Sequence, residues 1–159
     1  MKTKLFAFAL LSLTVIGIGS CKKDSTPVAT NTVTFKATIN GASETPANSS
    51  LATGSATFTY NTVTYILSGT VTYAGIVATA SHIHKGAVGV AGGVVFPLGS
   101  SPYSSPISFT SGALTAAQIA DLMAGLYYVN IHSTAFPGGE IRGQLVEQTS
   151  GSTASTGGY

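Results

Sequence analysis

Along most of the chain, apolar and polar residues alternate one by one, the period of half-buried strands. Val33 to Ile39 sets Val33, Phe35, Ala37 and Ile39 on one face, against Thr34, Lys36 and Thr38 on the other. Gly54 to Tyr60 repeats the pattern, with Ala56 and Phe58 opposed to Thr57 and Thr59. Asn61-Thr62 separates this run from the β-branched stretch Val63 to Tyr73 and predicts a short hairpin turn, with Gly69 as a bulge or bend in the second strand. Further strands are predicted over Ile76 to His84, Gly93 to Leu98, Ile107 to Thr110, Leu126 to His132 and Glu140 to Val146. Pro97 has no N–H to give a ladder, so the Gly93–Leu98 strand belongs at an edge. One segment breaks the rhythm. Thr115 with Gln118 three residues on makes a capping box, Ala116 to Met123 is helix-compatible, and Gly125 can end the helix. Seven or eight short strands and one helix insertion predict an all-β domain over residues 33–147. The expected architecture is a Greek-key β-sandwich, immunoglobulin-like or superoxide-dismutase-like.

The two ends depart from this pattern. Lys2 and Lys4 precede an uncharged run from Leu5 to Ile18, 14 residues long. A membrane span needs roughly 20 apolar residues, so residues 1–20 read as a secretory signal peptide. The run closes on Ile18-Gly19-Ser20-Cys21, which resembles a bacterial lipobox in which the Cys is lipidated and becomes the new N-terminus. Residues 21–32 then form a polar tether, and residues 148–159 a disordered tail. Cys21-Lys22-Lys23-Asp24 is similar to the start of many lipoproteins of Bacteroidota-type bacteria. Lys rather than Asp after the Cys favours the outer membrane, so the expected partner is the membrane itself, through the lipid on Cys21.

Composition narrows the function. Charged residues make up 8% of the chain, Trp is absent, and Cys21 is the single Cys. Seven scattered basic residues lay no phosphate-tracking stripe, which excludes nucleic acid as a partner. One Cys forbids an internal disulfide framework and Cys-rich zinc modules. Removal of residues 1–20 leaves five basic and five acidic side chains, so long-range steering of charged partners is weak.

All three His fall in predicted strands. His82 and His84 flank Ile83 and point to one face, roughly 6–7 Å apart. On the later strand Tyr128, Asn130 and His132 share a face, with Tyr127, Val129 and Ile131 on the other. If the two strands pair in register, three imidazoles converge, and neutral imidazole is a ligand for copper or zinc. The competing reading is that the rings hydrogen-bond at a polar end of the sandwich. Glu140 and Arg142 lie at i, i+2 on the last strand, and Arg142 is the only Arg. They are expected to form an ion pair, with each other or across strands, or Glu140 to fix a His tautomer as an outer-shell partner. Asp121 is expected on the helix and in solvent. It is the only Asp of the domain, so no Ser-His-Asp set is expected. Nothing brings Glu44 and Glu140 together as a glycosidase pair.

Several motifs in order carry a family likeness: Ser81-His82-Ile83-His84-Lys85-Gly86, the Gly-rich loop through Gly89 and Gly92, Tyr128 to His132, and Pro137 to Leu145. With the Ala-Ser-Glu-Thr-Pro stretch that ends at Pro46, these resemble a CHRD (chordin-type) domain from Phe35 to Val146. The resemblance implies a β-sandwich in an extracytoplasmic setting and names no reaction. Chordin's antagonism of animal growth factors has no counterpart in a bacterium. A second likeness joins His82, His84, His132 and Arg142 to the copper half of copper/zinc superoxide dismutase, without further His for a zinc site and without a Cys pair. Two functions therefore stay open: a non-enzymatic binding or structural module, and a three-His copper or zinc domain with superoxide-dismutase-like redox chemistry.

Overall fold

In the computed structural model, which describes residues 31–149, the domain is all-β with one short α-helix. The expected signal peptide, Cys21, the expected tether up to residue 30 and the expected tail from residue 150 lie outside the described residues. The strands are β1 (Thr32–Asn40), β2 (Thr53–Asn61), β3 (Ile66–Ala74), β4 (Ala78–Lys85), β5 (Val94–Pro97), β6 (Ile107–Ala113), β7 (Tyr127–Ser133), β8 (Ile141–Gln144) and β9 (Val146–Gln148). The helix α1 covers Ala116–Met123. All pairings are antiparallel, in the order β5-β4-β7-β8-β1-β2-β3-β6, with β9 pairing on β1. The sheet curls until its two edges meet through side chains: Phe96 of β5 and Phe109 of β6 have ring centroids 5.6 Å apart. The sheet is thus nearly closed, and the edge position of β5 follows from Pro97.

One face of the curled sheet forms the core. Phe35 and Ile39 of β1, Phe58 of β2, Leu67 and Val71 of β3, Ile83 of β4, Val129 and Ile131 of β7 and Ile141 of β8 are fully buried there, with Leu122 of α1 covering an end. Each full burial of such a side chain contributes about 1.5–3 kcal/mol. The helix begins and ends as its sequence dictates. The Thr115 hydroxyl accepts from the Gln118 N–H, the Gln118 side chain accepts from the Thr115 N–H, and Gly125 turns the chain at φ 67°.

Several local expectations are corrected. The β2–β3 hairpin is longer than Asn61-Thr62, because the Asn61 side chain accepts from the N–H groups of both Val63 and Thr64 and delays the strand until Ile66. The register shift of β3 lies between Ile66 and Ser68, not at Gly69, where the backbone of Thr57 and Phe58 leaves no room for a Cβ. The predicted last strand is two strands. It breaks at Leu145, which turns into the core, so β8 pairs with β7 while β9 pairs with β1.

Candidate metal centre

Strands β4 and β7 pair with His82 opposite Asn130 and His84 opposite Tyr128, in the register that lets the three imidazoles share a face. One ring nitrogen from each of His82, His84 and His132 lies within 4.8 Å of the other two. Two nitrogens on one ion at 2.0–2.1 Å are at most roughly 4.2 Å apart, so small side-chain rotations complete a three-nitrogen site. His84 and His132 are buried and His82 is half-buried. A single side of the cluster is therefore open.

The backbone orients the rings. His84 Nδ1 lies 2.9 Å from the Gly92 carbonyl and His132 Nδ1 lies 3.0 Å from the Pro137 carbonyl. A carbonyl only accepts, so both Nδ1 atoms carry the proton and both Nε2 atoms present lone pairs. His132 Nε2 faces His82 Nδ1 at 3.1 Å. Among the described residues, His84 Nε2 is buried with no hydrogen-bond partner. An unpartnered buried acceptor costs about 1–3 kcal/mol, and a metal ion would remove that cost. Burial and the neighbouring rings hold the His82 imidazole below its ordinary range. Burial likewise lowers His132, against the upward pull of the Pro137 carbonyl. Both effects favour the neutral form that binds metals.

Around the rings stands a second set of side chains. The Tyr128 ring stacks on His84, centroids 5.1 Å apart and 12° from parallel. From the β8 side the Arg142 guanidinium lies over the same ring, 3.4 Å from its centroid. The Arg142 Nη groups donate to the Val90 carbonyl at 3.0 Å and the Ala87 carbonyl at 2.9 Å. The Gly92 N–H donates to the Tyr128 hydroxyl at 3.0 Å.

The expected ion pair is not formed. Arg142 and Glu140 take other partners: Arg142 the loop carbonyls, Glu140 the hydroxyls of Ser50 (2.7 Å) and Ser133. Glu140 precedes β8 and reaches across to Ser133, so it fixes no His tautomer; the carbonyls of Gly92 and Pro137 do that. Asp121 is paired rather than solvated, with Lys85 Nζ at 2.8 Å. Nor is Arg142 free to attract an anion, because its Nη groups are spent on the loop. Ser50, Ser133 and the two backbone carbonyls went unread in the sequence. The one available signal was position: Ser133 follows His132, and Gly92 belongs to the Gly-rich loop after His84.

A family model described as the CHRD domain matches residues 35–145. The chain belongs to the CHRD domain family. No curated protein and no solved structure matches it. The family assignment fits a binding or structural module outside the cytoplasm. The matched span contains every side chain of the three-ring cluster and its surroundings.

Proposed function

We propose that this CHRD domain is a non-enzymatic envelope module that holds one copper or zinc ion on His82, His84 and His132. The observation that carries the reading is the buried His84 Nε2, stripped of any partner beside two other ring nitrogens. Other buried polar atoms, such as Tyr73 Oη and Ser81 Oγ, also go unpartnered, but His84 Nε2 alone among them belongs to a cluster of three potential metal ligands. Three neutral nitrogens without a carboxylate suit copper and zinc, and among divalent ions copper binds such sites most tightly. The ion would supply a fixed positive centre with a coordination position open to solvent.

Superoxide-type turnover is the weaker alternative, because the one Arg near the rings is buried at 2% exposure and engaged by carbonyls. The signal run and lipobox support an anchor at Cys21 in the outer membrane, with the membrane as partner. The strand order supports a Greek-key sandwich whose layers are β5-β4-β7-β8 and β1-β2-β3-β6, since β3 to β4 and β6 to β7 are connections between non-neighbours.

The test is metal uptake by the purified full chain, read by elemental analysis and competition titration, beside His84→Ala. One copper or zinc per wild-type chain, lost in His84→Ala, is expected. A wild-type chain that takes up neither metal at micromolar concentration overturns the reading. For the anchor, Cys21→Ser is expected to leave the membrane fraction of cells. Its retention there would dismiss lipidation.

A further inference from the structure

We infer that Arg142 is the positioning residue of the metal centre: by strapping the Gly86–Gly93 loop it sets the orientation of His84. The inference rests on the metal reading above and goes beyond it by assigning a task to a residue that is not itself one of the ligands. Three observations converge on it. First, the loop meets His84 through the Gly92 carbonyl, which holds His84 Nδ1 at 2.9 Å and leaves Nε2 for a metal. Second, that atom has little freedom. The Gly92 N–H is held by the Tyr128 hydroxyl, and a Cβ on Gly92 would collide with the Lys85 carbonyl. Third, the middle of the loop is tied down by Arg142, through Ala87 and Val90, while Gln144 Nε2 ties its start at the Gly86 carbonyl, 2.9 Å away.

The side chain suits this task and is costly for any lesser one. A guanidinium buried without a carboxylate loses its hydration. Here it recovers donors to carbonyls and the π-face of Tyr128, the ring that stacks on His84. Its planar fork presents donors to two carbonyls in a fixed geometry, whereas a lysine ammonium is a point charge on a flexible stem. Arg142 thus acts on His84 by two routes, the loop carbonyl and the stacked ring.

The experiment is copper titration of the full chain with Arg142→Met and Arg142→Lys, read both as affinity and as the nitrogen hyperfine pattern of bound Cu(II). Wild type is expected to show three nitrogens. Arg142→Met is expected to raise the dissociation constant at least tenfold and reduce the pattern to two, with Arg142→Lys between the two. Loss of stability alone would not change the nitrogen count of the folded chains. If Arg142→Met does not fold, Arg142→Lys carries the same readout. Variants that keep three nitrogens and an affinity within twofold of wild type overturn the inference and leave the metal centre standing. A wild-type chain that takes up neither copper nor zinc removes both.

Discussion

The two halves of the sheet treat their outer faces differently. In β2 burial alternates: Ala56, Phe58 and Tyr60 are buried, while Thr53, Ser55 and Thr57 face solvent. In β7 every residue from Tyr127 to Ser133 is buried. There the core side is apolar, and the outer side carries Tyr128, Asn130 and His132 beneath connecting loops. A solvent-facing Thr or Ser needs no partner from the protein. A covered polar side chain does, and for His84, His132 and Arg142 the carbonyls of Gly92, Pro137, Ala87 and Val90 supply it. The difference teaches where to look for chemistry in such a fold. The half that buries polar groups on its outer face is the half in which the three imidazoles meet.

The sharpest test of that division lies in the plain half. Phe58 is fully buried and packs edge-on to Phe109, 6.1 Å between centroids. Phe58→Ala is expected to cost about 3–5 kcal/mol, read as a lower urea midpoint. Copper bound per folded chain should not change. A folded Phe58→Ala chain without copper would mean that the halves are not separable.

Much of this division was legible in the sequence. The period-two runs locate the core faces of β1, β2, β4 and β7, and the Thr115/Gln118 box locates the helix, because both signals are local. The face shared by His82 and His84, and that shared by Tyr128 and His132, follow from alternation alone. What lay beyond reach were the loops. No periodicity announces that the segments after β1, β4 and β7 fold over the outer face of β4-β7-β8. The partners of Arg142 and Glu140 were misread for a related reason. Charges in a sequence suggest opposite charges, whereas these two are answered by backbone carbonyls and Ser hydroxyls.

A smaller effect compares one chemical change in the two settings. Ser133 donates to Glu140 inside the covered half, and its oxygen also accepts from the Phe136 N–H at 3.2 Å. Ser55 meets Thr72 at 2.9 Å in the open. Ser133→Ala leaves a buried carboxylate oxygen short of a donor and should cost about 1–3 kcal/mol. Ser55→Ala should stay within about 0.5 kcal/mol. Equal losses in denaturant titration would erase the distinction between the two faces.

The smallest expected effect concerns Glu44, whose Oε1 is buried without a partner against the edge of the covered half. Burial raises its pKa above 4.5, and the opposing pulls of the Thr45 N–H and the Arg142 charge do not offset it. A carboxyl with a raised folded pKa contributes most below its unfolded value, and that contribution is lost as pH rises through the folded one. Once ionised, Glu44 is a charge held against its surroundings. Glu44→Gln keeps the shape and removes the charge. Its urea midpoint is expected above wild type at pH 7, with the gap closing as pH falls to 4.5 and below. A wild-type chain more stable than Glu44→Gln at pH 7 would mean that attraction to Arg142 outweighs desolvation. The covered face would then be held together by charge, rather than by the carbonyls and hydroxyls that surround it.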